Sequence, residues 1–308
     1  MNKKVKVFSG SSNIELSKKI ANILDIELGK VEIEKFADGE ILPKFIDNVR
    51  GNTVFIIQST YPPFENYWEL FQMIDAAKRS SAKEIIPIIV YYGYSRQDRK
   101  DQPRVSIGSK LIQKFIEISG ATRLITIDLH ADQISSFFDI PTDQLYASYL
   151  FVPHIKKISD NIIIASPDTG GTKRAKYLSN KLKCDMVICY KQRIKSNRVE
   201  NMILIGDVKG KDVIIFDDII DTGGTICKSA ELMMEKGANS VRAVITHPIL
   251  SGNAYKNIEE SQLTELIVTD TIPLKQKSNK IKVLSISPLI AKSISNIVRN
   301  KSLSELFK

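Results

Sequence analysis

The stretch "VIIFDDIIDTGGTI", residues 213–226, sends an apolar, β-branched run into two adjacent aspartates, reaches a third aspartate, and closes on Thr-Gly-Gly-Thr. A continuous apolar run of this kind marks a strand covered on both faces, as in a parallel sheet. Asp217 and Asp218 then stand at its carboxyl end, which is where open parallel sheets bind their ligands. Stacked carboxylates repel one another, so fold stability alone does not select them. They become favourable when they accept hydrogen bonds from hydroxyls or hold a cation. The following Asp221, Thr222, Gly223, Gly224 and Thr225 supply a glycine turn, inward backbone N–H groups, two hydroxyls and the start of a helix. That combination is a phosphate cradle. A helix cap with a tight turn would explain the loop but not the two aspartates before it. The whole stretch asks for a molecule with hydroxyls at one end and a phosphate at the other, such as a sugar phosphate.

Working outward, similar runs at 4–10, 53–60, 85–93 and 123–130 read as strands, with helical patterns at 62–82 and 109–121 between them. In the first helix Trp68, Leu70, Phe71, Ile74 and Ala77 fall mostly at helical spacing. The second half repeats the scheme, with strands at 161–166, 184–190, 212–218 and 240–247 and helices at 170–183 and 224–237. The expected fold is α/β: two tandem domains, 1–147 and 148–308, each a mainly parallel sheet flanked by helices. The last residues form an apolar-striped helix with a short tail, suited to core packing or subunit contact, and the final ~15 are expected to pack back on the first domain.

Bulk properties narrow the class. The chain of 308 residues is 43% hydrophobic, enough for a real core in each half. No apolar run approaches a membrane span, and the basic start lacks a signal-peptide core, so a cytoplasmic location is expected. Cys184, Cys189 and Cys227 are odd in number and not spaced as a metal site, which fits core cysteines in a reducing compartment. The net charge of +9 lies wholly in residues 151–308, where 25 Lys and Arg face 16 Asp and Glu. That field favours anionic partners, although solubilising surface lysines would give the same count.

Further chemistry lies in four segments. "KFADGE" (35–40) sets Phe36, Asp38 and Glu40 around Gly39: an aromatic to stack on a base with carboxylates to accept from it, or a plain surface turn. "YYGYSRQDRK" (91–100) places Arg96, Gln97, Asp98 and Arg99 after a buried strand, where the arginines suit phosphates or form a solvated charge run. Asp128 and His130 end another strand; His130 is either a metal ligand or a hydrogen-bonded structural histidine. In "YKQRIKSNRVENM" (190–202), Lys191, Arg193 and Lys195 alternate, as a flap that closes over a polyphosphate or as an exposed basic hairpin.

Together these segments closely resemble the ribose-phosphate diphosphokinases, also called phosphoribosyl-diphosphate synthetases. The 213–226 stretch resembles the phosphoribosyl-diphosphate binding motif, and residues 36–40, 92–100, 128–131, 137–141 and 166–175 match the family's other motifs in order. The resemblance implies that the diphosphoryl group of ATP moves to the C1 hydroxyl of ribose 5-phosphate, releasing AMP. It implies ATP contacts at Phe36, Asp38, Gly39, Glu40, Arg96, Gln97 and Asp98, and Mg2+ contacts at His130 and Asp168. Histidine is an unusual ligand for so hard an ion, so its contact would run through water or the nucleotide; Asp168 could instead cap a helix. The resemblance assigns Lys191 and Arg193 to stabilising the transferring group. It assigns Arg193, Asp217, Asp218 and residues 221–225 to ribose 5-phosphate. It also implies a homo-oligomer, commonly a hexamer, with the nucleotide site between subunits.

Three places depart from the family's usual pattern, Val105-Ser106, Asp132 and Asn253, all outside the catalytic set. The first two fall near segments that the resemblance links to subunit contact and regulation, so the departures bear on regulation more than on chemistry. Among the rivals, a phosphoribosyltransferase would explain the 213–226 loop but not the nucleotide-site motifs. A non-catalytic regulatory paralogue would keep the fold without the Lys191-x-Arg193 pair. A nucleic-acid binder would use the basic half, but the interleaved aromatics of such surfaces are missing.

Overall fold

The computed structural model describes residues 5–193 and 200–307. The chain divides into two units, one comprising the start to Tyr146 together with the segment from Ser285, the other Ala147–Leu284. In the first unit the chain forms β1 (Val5–Ser9), α1 (Ile14–Leu24), β2 (Val31–Lys35), β3 (Ile41–Phe45), β4 (Thr53–Ser59), α2 (Glu65–Arg79), β5 (Glu84–Tyr91), α3 (Gly108–Ser119), β6 (Leu124–Ile127) and β7 (Thr142–Leu145). The second unit holds α4 (Ser148–Ile155), β8 (Ile162–Ser166), α5 (Thr172–Leu182), β9 (Met186–Arg193), β10 (Glu200–Ile205), β11 (Asp212–Ile220), α6 (Gly224–Glu235), β12 (Ser240–Pro248), α7 (Ala254–Glu260), β13 (Glu265–Thr269) and β14 (Ile281–Leu284). Helix α8 (Ser287–Val298) returns to the first unit and packs on α1.

The first unit's main sheet has the order β1-β4-β5-β6-β7, with every pair parallel. Every residue of β4 and β6 is buried, including the polar Gln58, Ser59 and Thr126, which make hydrogen bonds within the fold. One face packs Val54, Ile56, Ile85 and Ile89 against Leu70 and Ile74 of α2 and Ile112 and Ile116 of α3. The inward stripe of α2 includes Tyr67 rather than Trp68. Tyr67 is fully buried with Leu70, Phe71, Ile74 and Ala77, and Trp68 is 51% exposed. One residue is about 100° of helix rotation, enough to move a side chain from the core to the surface.

The second sheet has the order β10-β9-β8-β11-β12-β13-β14, parallel except for β10. From β8 the chain moves outward to β9 and β10, then crosses back to place β11 on the other side of β8. The strand order therefore reverses between β8 and β11, and their two following loops diverge there; such a switch point is the place where open α/β sheets bind ligands. β11 overruns its neighbour. Its pairing with β8 ends at Ile215↔Ala165, whereas its pairing with β12 continues to Ile220↔Pro248. Asp217 and Asp218 thus lie inside the strand, in the part that β8 leaves uncovered.

Candidate functional site

At that notch the two aspartates meet a cation from the neighbouring helix. Arg174, in the first turn of α5, places Nη1 3.0 Å from Asp217 Oδ1 and 2.8 Å from Asp218 Oδ1. The Asp218 backbone N–H donates to Asp217 Oδ1 at 2.9 Å. Asp218 is almost wholly buried, and Asp217 is partly buried, its side chain 17% exposed. Burial and the adjacent Asp218 carboxylate push the Asp217 carboxyl well above the usual carboxylate range, more than Arg174 pulls it back. The loop after β8 closes against this pair. Ser166 Oγ donates to the Asp168 carbonyl at 2.6 Å, and Asp168 Oδ1 accepts from the Gly171 N–H at 3.0 Å. A Cβ on Gly171 would stand 2.9 Å from Ser166 Oγ and 3.5 Å from Asp217 Oδ1, so a larger residue here would have to displace the Ser166 hydroxyl. The cap residue of α5 is Gly171, not Asp168; Asp168 instead fastens the turn leading into it.

The loop after β11 has the form of an anion cradle. Gly223, with φ 77° and ψ −11°, caps α6 in the left-handed region and offers no side chain to it. The first N–H groups of a helix lack intrahelical acceptors and carry the positive end of its dipole. The loop is fixed from the side: Ser251 Oγ donates to the Asp221 carboxylate, the Ser251 N–H donates to the Asp221 carbonyl at 3.1 Å, and Asn257 Nδ2 donates to the Thr222 carbonyl at 2.9 Å. Lys191 and Arg193 lie on β9 beyond its last pairing with β8, at Ile188. There, among the described residues, β10 alone pairs with it, setting Lys191 opposite Met202 and Arg193 opposite Glu200. Lys195 lies outside the described residues.

In the first unit, Arg96, Gln97, Asp98 and His130 come together. With Arg99, Asp101, Val105 and Ser106 they line a cavity of about 500 Å³. The loop after β5 is pinned to the start of α3: the Gln97 carbonyl accepts from the Ser109 N–H at 3.2 Å and from Ser109 Oγ at 3.0 Å. Asp98 Oδ2 accepts from Gln133 Nε2 at 2.7 Å, which ties this loop to the one carrying His130. The loop's entry depends on Gly93, where a Cβ would stand 2.2 Å from the Thr60 carbonyl oxygen. Gly93→Ala is expected to destabilise the first unit by about 2–3 kcal/mol, because that overlap is with backbone, which cannot rotate away; a urea titration followed by circular dichroism measures it.

Phe36, Asp38, Gly39 and Glu40 lie elsewhere, at the exposed tip of the antiparallel β2–β3 hairpin, and none of them lines that cavity. Gly39 takes φ 98°, the Phe36 N–H donates to the Glu40 carbonyl at 2.8 Å, and the Glu40 N–H donates to Asp38 Oδ1 at 3.0 Å. Phe36 is exposed, as a stacking surface must be. Among the described residues, no group of three or more His, Cys, Asp or Glu side chains is placed to hold a metal.

Sequence reasoning missed Arg174, Ser166 and Ser251 as site residues. Arg174 carried a readable signal. A basic residue in a helix's first turn faces the positive end of the dipole, so some other interaction must hold it there.

The family model described as the N-terminal domain of ribose phosphate pyrophosphokinase matches residues 5–120, and that of the phosphoribosyl synthetase-associated domain matches residues 188–308. The ribose-phosphate pyrophosphokinase of Wolinella succinogenes is 51% identical over 98% of this chain and 98% of its own. That of Porphyromonas gingivalis is 48% identical over 98% and 97%. The chain belongs to the ribose-phosphate pyrophosphokinase family. A solved family fold, the crystal structure of phosphoribosylpyrophosphate synthetase from Mycobacterium smegmatis, superposes with a TM-score of 0.92 at 36% identity, covering 97% of this chain and all of that one. The α/β fold with two phosphoribosyltransferase-like domains is that of the family.

Proposed function

We propose that this chain transfers the diphosphoryl group of ATP to the C1 hydroxyl of ribose 5-phosphate, giving 5-phosphoribosyl 1-diphosphate and AMP, and that it does so in nucleotide biosynthesis. The observation that carries this reading is the pairing, at one switch point, of a buried acidic pair with a glycine-capped helix N-terminus. The acids suit sugar hydroxyls and the helix end suits the 5-phosphate. The work divides between the domains. Residues 1–147 carry the nucleotide contacts, with Arg96, Gln97 and Asp98 on the ATP phosphates and ribose. Residues 148–308 carry Asp217, Asp218, Asp221 and the 222–225 loop for ribose 5-phosphate, and Lys191 and Arg193 for the migrating group.

Phosphoryl transfer of this kind asks the protein for in-line positioning and for cations on the equatorial oxygens rather than for a covalent nucleophile. Lys191 and Arg193 supply those cations, and Arg193 also binds the sugar phosphate. Mg2+ fits the donors present: it keeps its waters, takes phosphate oxygens from substrate and needs few protein atoms. His130 and Asp168 are the proposed protein contacts, Asp168 through the oxygen not engaged by Gly171. When bound, the ion neutralises phosphate charge. Placement of Phe36 and Glu40 on an exposed hairpin tip supports their serving a nucleotide held by a neighbouring subunit of a homo-oligomer, a hexamer by family resemblance. Trp68, Phe115 and Ile118, exposed on α2 and α3, supply apolar surface for such contacts.

The deciding measurement is AMP formation from ATP and Mg2+ with and without ribose 5-phosphate. AMP release that requires the sugar phosphate is the expected result. No AMP release with ribose 5-phosphate, and diphosphate release instead on adding a nucleobase and preformed phosphoribosyl diphosphate, would overturn it.

A further inference from the structure

We propose that Arg174 is the positioning residue of the sugar pocket, clamping the Asp217 and Asp218 carboxylates so that Asp217 presents a fixed oxygen to a ribose hydroxyl. This rests on the reading of the acidic pair as the sugar-hydroxyl site. Three observations carry it. A single guanidinium nitrogen reaches both carboxylates, at 3.0 and 2.8 Å, from a helix turn whose dipole opposes a cation. Among the described residues, the hydrogen bonds that Asp217 accepts from Arg174 and from the Asp218 N–H both fall on Oδ1, which fixes the orientation of the carboxylate. The position where Gly171 lacks a Cβ abuts the same Oδ1, so the loop after β8 holds that side of the carboxylate closed.

The clamp also explains how adjacent acids persist inside the fold. Without Arg174 the two carboxylates would lose the guanidinium that bridges them, and Asp217 would rotate toward water or take up a proton. A planar guanidinium suits this task better than an ammonium, which is a compact and strongly hydrated point charge.

The test is a double-mutant cycle read in steady-state kinetics on the full chain. Arg174→Gln is expected to raise KM for ribose 5-phosphate about tenfold while KM for ATP moves less than about twofold; Arg174→Lys restores most of the loss. In an Asp217→Asn background, Arg174→Gln should add less than about twofold, because the residue acts through Asp217. Should Arg174→Gln fail to fold, Arg174→Lys gives the same cycle at about threefold amplitude. Additive losses, or equal rises in both KM values, would overturn the positioning role. Absence of any ribose 5-phosphate-dependent turnover in the unaltered chain would instead overturn the functional reading on which it rests.

Discussion

Lys191→Ala will lower turnover about a thousandfold and leave the affinity for ribose 5-phosphate within about twofold, as expected for a cation engaged only with charge that develops in the transition state. The reasoning starts from the register. β9 and β10 form a two-stranded ribbon past Ile188, with Lys191 and Arg193 at alternate positions near its far end. On fold grounds alone such a ribbon is a basic hairpin, with Arg193 set opposite Glu200. Over a transferring diphosphoryl group its two cations become favourable. Arg193→Ala separates the two roles, because it should lose sugar-phosphate affinity as well as turnover. Initial rates of AMP formation and titration calorimetry with ribose 5-phosphate read both. Near-normal turnover in Lys191→Ala would remove the ribbon from the mechanism.

The parts of the molecule that sequence disclosed and those it hid differ in one physical respect. Strands buried on both faces, such as β4, β5 and β11, announce themselves through unbroken apolar stretches at 54–57, 85–91 and 213–216. The short edge elements do not. β7 is Thr-Asp-Gln-Leu and is a strand only through its pairing with β6; β14 is four residues long and half exposed. Helix α4 has eight residues with Pro153 inside it, and no local pattern marks it. These elements owe their existence to the neighbour that pairs with them or packs on them.

The same division holds at the site. The loops after β8 and β11 are contiguous in sequence, so the glycines and acids that shape them stand together and can be read together. The groups that aim those acids come from afar. Arg174 reaches Asp217 across 43 positions, and Ser251 reaches Asp221 across 30. The first pairing is created by the crossover that inserts β11 beside β8, the second by the pairing of β11 with β12, and no local window contains either. Likewise Trp68 and Tyr67 are both plausible core residues by composition, and only the helix's final rotation separates them.

Asp217→Asn is the variant in which stability and function should move in opposite directions. In the unfolded chain this carboxyl titrates near the ordinary value of about 3.9. In the fold, burial and Asp218 raise it well above that, so the folded chain holds the proton more tightly than the unfolded one. Stability therefore falls as pH rises through the unfolded value toward the folded one, and stays lowered above it. Each tenfold difference in proton affinity is worth about 1.4 kcal/mol. Asparagine has no charge to desolvate, and Arg174 keeps its 2.8 Å pairing with Asp218. The expected result is an unliganded unfolding midpoint at neutral pH raised by about 2–4 °C, on the order of 1 kcal/mol, with the difference closing below about pH 4. Binding pays in the other direction: an ionised acceptor for a sugar hydroxyl is worth about 1.5–3 kcal/mol, so affinity for ribose 5-phosphate should fall about ten- to a hundredfold. Ligand linkage then stabilises the unaltered chain more than the variant. Thermal unfolding with and without saturating ribose 5-phosphate should show the two proteins exchanging rank. A variant that is less stable than the parent at neutral pH without ligand, or that binds the sugar phosphate equally well, would show that the buried acid serves the fold rather than the substrate.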